Sequence, residues 1–302
     1  MARWRVPIAV LLGAVLVMGT GCSSSAADSE GMPETLRVGL IPNVSPDKQK
    51  AQYQPFGRYL AGKLGVKIEL FVATDYSGVV SALAADKVDI AYLGGLTYVQ
   101  AAQQTKVVPL VTEVDRETGT PKYLSAIVVK KDAPYTSTKD LLASSPKFAF
   151  GDPSSTSGSL YPRMMLVAAG ARCDARQLTK CPPLETVTFT GGHDATARAV
   201  LNGSADAGGI ELRILHRLEK QGGITAGGLR AIDQRQVMGY PWVARAGLDA
   251  TARNAITTAF TTMRDPALLD LMRANSFVKV TEADYAEVRD QAAELGLIEA
   301  GN

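Results

Sequence analysis

Histidine is nearly missing from this 302-residue chain, which carries two, His193 and His216. Neither sits in a metal-binding spacing such as His-Glu-x-x-His, and no Gly-x-Ser-x-Gly elbow marks a hydrolase nucleophile. An excess of one charge sign is missing too. Lys plus Arg number 32 against 30 Asp plus Glu. Arg3 and Arg5 fall in the first 21 residues, which hold no acid, so the rest of the chain balances at 30 to 30. Nothing in this balance suggests nucleic-acid binding, which needs a basic face. The one long apolar run, Val6 to Met18, is too short for a comfortable membrane span. Cysteine is scarce, at three.

The N-terminus is informative. A basic start, the apolar run and then Gly19-Thr20-Gly21-Cys22 make a secretory signal. With Cys directly after small residues, it resembles a bacterial lipoprotein signal, although Gly19 stands where Leu is usual. That resemblance implies acylation of Cys22, a signal over 1–21 and attachment to the cell membrane. An ordinary cleaved signal with a stray Cys is the other reading. Residues 22–34 read as a flexible tether. Export implies oxidising surroundings. Cys173 and Cys181, in a turn-rich stretch, are therefore expected to form a disulfide around a small loop. Two thiolates without further Cys or nearby His make a poor zinc set.

The body, roughly 280 residues, suits one large or two ordinary domains. Strands are expected at 35–41, 66–72, 88–93, 107–112, 123–129, 148–150, 187–189, 229–232 and 242–244, with 206–209 extended. Helices are expected at 47–64, 76–85, 96–104, from Ser137, and at 158–169, 194–202 and 213–221. The last sixty residues read as chiefly helical. The alternation predicts an α/β fold with mostly parallel sheets flanked by helices.

In such sheets ligands bind beyond the carboxyl ends of the strands. Four loops qualify: 75–78, Gly94-Gly95, 154–158 and 191–194. The hydroxyl-rich run Ser155, Thr156 and Ser157, closed by Gly158, lies between a strand and a helix start. Unpaired N–H groups and neutral hydroxyls there make an oxyanion cradle; plain helix capping explains the same residues. Charge-assisted hydrogen bonds contribute roughly 1.5–3 kcal/mol each. His193 follows a glycine pair at another such turn and suits an oxyanion donor or a structural histidine. Asp194 reads as a helix cap.

Six runs taken together carry a specific resemblance: DYSGVV (75–80), KVDIAYLG (87–94), GDPSSTSG (151–158), LYP (160–162), GGHDA (191–195) and VLNG (200–203). They are similar, in order, to the phosphonate, phosphite and phosphate-binding proteins of ABC importers, within the two-lobed periplasmic-binding-protein superfamily (type II). The resemblance covers about 36–245. It implies two α/β lobes joined by two hinge crossovers, with lobe 1 at 35–120 plus 240–302 and lobe 2 at 121–239. It also implies a small oxyanion held between the lobes, a cognate permease and ATPase, a monomeric state, no cofactor and no reaction. Carried over residue by residue, the ligand contacts are Tyr76, Tyr123, Ser155, Thr156, Ser157, His193 and, as a carboxylate reading the far side of the ligand, Glu211. Two positions depart from the pattern. Ser159 stands where many members have His. Tyr240, in Met238-Gly239-Tyr240-Pro241-Trp242, stands where many have Asp. That exchange removes an acceptor for a ligand ammonium and supplies an aromatic face and a hydroxyl, so Tyr240 is a candidate contact and an aminoalkylphosphonate is disfavoured. Simple hinge packing is the other reading of Tyr240. Rival functions are binding of a sulfonate or larger phosphorylated metabolite, a sensor lobe, and a secreted hydrolase using Ser157 and His193.

Overall fold

β-Branched and apolar runs build the first sheet from β1 (Thr35–Leu40), β2 (Lys67–Val72), β3 (Ile90–Tyr92) and β4 (Val107–Asp115), linked by α1 (Pro46–Leu64), α2 (Tyr76–Ala84) and α3 (Gly95–Gln104). The computed structural model describes Met1 and residues 31–299; the apolar segment and Cys22 lie outside the described residues. The chain then crosses into a second sheet: β5 (Lys122–Lys130), α4 (Thr138–Ala143), β6 (Lys147–Phe150), α5 (Tyr161–Ala168), β7 (Thr186–Phe189), α6 (His193–Leu201), β8 (Ala207–Glu211), α7 (Leu212–Lys220) and β9 (Leu229–Met238). It returns through β10 (Trp242–Arg245), α8 (Ala250–Thr261), α9 (Pro266–Leu271), β11 (Ala274–Lys279) and α10 (Ala286–Glu294).

The strand orders are β11-β4-β10-β3-β1-β2 and β7-β6-β8-β5-β9. Both sheets are mixed. β1 runs parallel to β2 and β3, and β6 to β7 and β8. The strands that carry the crossovers, β4, β5, β9 and β10, pair antiparallel. A strand that leaves one sheet and enters the other without an intervening helix has no βα crossover to return it parallel. Since β9 holds to β5 as far as Met238, the chain changes sheets on its return over Gly239–Pro241.

Tyr53, Phe56, Leu60 and Leu64 of α1 are buried at helical spacing, and the helix ends on Gly65 in the left-handed region, φ 69°. Phe56, Phe260 and Trp242 form a three-ring cluster, with the Phe56 and Phe260 centroids 5.0 and 4.8 Å from Trp242 and 5.5 Å from each other. In the second lobe, β5 is buried on both faces: Ile127 and Val129 join one apolar cluster, Ala126 and Val128 another. Cys173 and Cys181 are joined by a disulfide.

Three local readings change. The predicted helix at 158–169 begins earlier, as a π-helical turn over Thr156–Leu160 that leads into α5. β9 continues through the polar Asp233-Gln234-Arg235-Gln236, because backbone pairing with β5 and a largely exposed outer face ask little of the side chains. β11 interrupts the expected helical terminus by pairing with β4, a tertiary partner that local propensity does not reveal.

Candidate functional site

The strand-to-helix loops of the two sheets meet face to face. Thr156 Oγ1 accepts from the Leu96 N–H at 2.9 Å, and Thr97 Oγ1 donates to the Ser154 carbonyl at 3.0 Å. The His193 N–H donates to the Asn43 carbonyl at 3.0 Å, and the Tyr76 N–H to Asp152 at 3.2 Å. Gly94 permits this approach: a Cβ there would stand 2.8 Å from Thr156 Oγ1. Asp75 caps α2 by accepting from the Gly78 N–H at 2.8 Å, which fixes the start of the turn carrying Tyr76.

On the second sheet, Ser155 caps the π turn and accepts from the Gly158 N–H at 3.0 Å. Its hydroxyl is thus committed to capping. Ser125 Oγ donates to the Ser157 carbonyl at 3.0 Å and holds the turn in place. Ser157 Oγ is buried and has no partner. A Cβ on Gly158 would lie 3.1 Å from His193 Cε1, so the bare backbone lets the imidazole pack against the turn. Gly192, not Asp194, holds the N-cap position of α6; Asp194 sits in the first turn, where it accepts from the Ala195 N–H at 3.0 Å and pairs with Arg198.

His193 is 1% exposed. Its Nδ1 faces the Glu211 N–H at 3.4 Å, which assigns the proton of the neutral ring to Nε2. Burial pushes its pKa down to about 4, so the ring is neutral at pH 7. Tyr76 donates its hydroxyl to Asn43 Oδ1 at 2.8 Å, and burial pushes its phenol well up. Four buried polar atoms around this cleft have no hydrogen-bond partner among the described residues: Asn43 Nδ2, Tyr123 Oη, Ser157 Oγ and His193 Nε2. Each can donate a hydrogen bond. An unsatisfied buried donor costs about 1–3 kcal/mol, and acceptor oxygens are the complementary chemistry for all four.

Behind them lies an ion network. Tyr240 donates to Glu211 Oε2 at 2.5 Å, and its hydroxyl is 3.3 Å from Asn43 Oδ1. Arg213 Nε donates to Glu211 Oε1 at 2.8 Å, with Arg273 Nε 3.3 Å from the same oxygen. Arg213 also binds Glu113 and Asp115, each at 3.0 Å, and lies over the Tyr123 ring at 4.3 Å. Burial alone would raise the Glu211 pKa; Arg213 and Arg273 outweigh it and hold the carboxyl at about 2. Tyr240 packs on Tyr92, centroids 5.0 Å apart, so it fills the hinge and bonds within the cleft at once.

All eight residues expected from the sequence, Tyr76, Tyr123, Ser155, Thr156, Ser157, His193, Glu211 and Tyr240, are buried in this one region. Asn43, Arg213 and Arg273 were not anticipated. Asn43 follows β1, a strand-end loop like the other four, and could have been found by the same rule. Arg213 shares a strand-to-helix junction with Glu211. Arg273 gave no local signal.

The family model described as ABC transporter, phosphonate, periplasmic substrate-binding protein matches residues 38–285. The phosphate-import protein PhnD of Mycolicibacterium smegmatis is 30% identical over 93% of this chain and 94% of its own length. The phosphonates-binding periplasmic protein of Escherichia coli is 31% identical over 78% of this chain and 68% of its own. Among solved structures, PhnD1 of Prochlorococcus marinus in complex with methylphosphonate shares the fold, with a TM-score of 0.76 at 24% identity, over 88% of this chain and all of that one.

Proposed function

Because this chain belongs to the periplasmic phosphonate substrate-binding family of ABC transporters, we propose that it captures a small phosphorus oxyanion without a cationic tail, such as phosphate, phosphite or methylphosphonate. As in the rest of that family, its task is binding for transport and it carries out no reaction. The observation that carries the ligand reading is the set of four unpartnered donors, Asn43 Nδ2, Tyr123 Oη, Ser157 Oγ and His193 Nε2. Tyr76 and Thr156 complete the wall, and Ser155 shapes it. The hydroxyls of Tyr123 and Ser157 can also accept, which suits the P–OH of a protonated phosphorus oxyanion and gives sulfate no matching donor.

Glu211 supports the restriction on the tail. Both its oxygens are already engaged, by Arg213 and Arg273 on one side and Tyr240 on the other. An ammonium placed here would meet two guanidinium groups and a neutralised acid. The loaded lobes deliver the ligand to a cognate permease and ATPase. The protein acts as a monomer held at the membrane by lipid on Cys22, with residues 1–21 removed and 22–34 as tether. Lobe 1 comprises 35–120 and 240–302, and lobe 2 comprises 121–239.

Calorimetric titration with phosphate, phosphite, methylphosphonate, 2-aminoethylphosphonate and sulfate tests the reading. One equivalent of at least one of the first three binds, and the last two bind at least tenfold more weakly. Tightest binding of 2-aminoethylphosphonate or sulfate contradicts it. For the anchor, mass spectrometry of the membrane-extracted protein shows diacylglycerol on Cys22; a soluble protein with an unmodified thiol contradicts that assignment.

A further inference from the structure

On the hinge side of the Glu211–Arg213–Arg273 layer lies a second cavity, of about 370 Å³. None of the four unpartnered donors of the cleft lines it. α7 of the second lobe contributes Arg213, Arg217 and Lys220; the first lobe contributes Arg116, just after β4, and Arg273, just before β11. Against these five cations stand three carboxylates, Asp115, Glu117 and Asp270. Internal pairs occupy all three: Asp115 with Arg213 at 3.0 Å, Glu117 with His216 at 2.9 Å and Asp270 with Arg116 at 2.6 Å. Arg273 pairs instead with Glu211 of the cleft, at 3.3 Å, which leaves Arg217 and Lys220 as the cations of the cavity without a carboxylate partner among the described residues.

Two of the guanidinium groups are almost wholly buried and incompletely bonded. Arg213, 3% exposed, has a terminal nitrogen with no hydrogen-bond partner among the described residues, and Arg273, 9% exposed, has at Nε only the 3.3 Å ion-pair contact with Glu211. Arg217 reaches across the lobes to the carbonyls of Leu271, at 2.7 Å, and Asp270. Its pKa is pushed down to about 10, first by burial and then by Arg273. Guanidinium forks beside a lysine suit the oxygens of a multiply charged anion. Arg273 also stands at φ 57°, the left-handed region, which costs a non-glycine residue energy and is retained where the side chain must point a particular way.

We propose that this hinge-side cavity is a second anion site, taking a compact polyanion of the pyrophosphate type that bridges Arg217 and Lys220 of one lobe to Arg116 and Arg273 of the other. A ligand touching both lobes favours their closed arrangement. By reciprocity, an occupied cleft tightens the cavity's hold and the cavity tightens the cleft's. The site itself goes beyond the cleft reading; only this coupling rests on it.

The test is calorimetric titration of pyrophosphate into the protein at low ionic strength, with and without saturating inorganic phosphate. One equivalent of pyrophosphate binds in both cases, more tightly when phosphate is present. Lys220→Glu, an exposed change, weakens that binding at least tenfold and leaves the phosphate Kd within twofold. Should phosphate fail to bind while pyrophosphate binds and responds to Lys220→Glu, the cavity stands and the cleft reading falls. Pyrophosphate that merely displaces phosphate, or that is indifferent to both Lys220→Glu and Arg116→Gln, overturns the proposal.

Discussion

Tyr240 Oη donates to Glu211 Oε2 at 2.5 Å and thereby ties the return crossover to the end of β8. The contact spans the two lobes and uses the last oxygen of an acid already held by Arg213 and Arg273. Tyr240→Asp replaces that donor with an acceptor. The ratio of 2-aminoethylphosphonate to phosphate affinity rises at least tenfold, read by calorimetry; an unchanged ratio shows that Tyr240 does not set tail selectivity. Tyr240→Phe leaves the Glu211 oxygen without its donor and lowers unfolding stability by about 1.5–3 kcal/mol, measured in urea.

Gly94 is required for closure and not by its own backbone. Its φ of −74° is open to any residue, but a Cβ there meets Thr156 Oγ1 at 2.8 Å. Gly94→Val therefore weakens ligand binding at least tenfold while the ligand-free melting temperature moves by no more than about 3 °C. An equal loss of stability and affinity would mean that the glycine serves the first lobe alone.

The His193 pKa sets a pH dependence whose sign follows directly. Folded, the ring titrates at about 4; unfolded, near 6.5. Between those values the unfolded chain binds more protons, so ligand-free stability falls as pH drops from about 6.5 towards 4. The full effect approaches about 3 kcal/mol. His193→Gln, which has no such proton to take up, flattens the slope between pH 6.5 and 5. Equal slopes in the two proteins contradict a buried neutral imidazole.

Cys173 and Cys181 close a loop with a separation of eight residues. Chain-entropy arguments give such a loop about 2–3 kcal/mol. The double change to serine lowers stability by that amount in denaturant melts and leaves cleft affinity within twofold, since Cys173 and Cys181 pack with Phe148, Phe150 and Met165 in an apolar cluster that holds none of the cleft residues. A tenfold affinity loss would show that the loop supports the cradle from behind.

Much of the cleft could be read in the sequence because its parts are local. Ser155 to Gly158 form one turn, His193 follows its own glycine pair, and Asp75 caps the helix that presents Tyr76. Hydroxyls and glycines between a strand pattern and a helix pattern need no tertiary knowledge. The ion network could not be read this way. Glu211 and Arg213 are two apart, but Glu113 and Asp115 reach Arg213 from the far side of the hinge, and Arg273 arrives only because β11 pairs with β4. Propensity assigned that stretch to helix, and long-range pairing overruled it. The contact of Arg273 with Glu211 belongs to that same long-range part.

The central claim is that the unpartnered donors of the cleft hold the oxyanion. Calorimetry of inorganic phosphate against the wild-type protein and a Tyr123→Phe, Ser157→Ala double variant tests it most directly. One-to-one binding is expected in the wild type and weakens by at least a hundredfold in the double variant, equivalent to about 2.7 kcal/mol, with the ligand-free melting temperature unchanged or raised because two unsatisfied buried groups are gone. Phosphate affinity within threefold of wild type would contradict it.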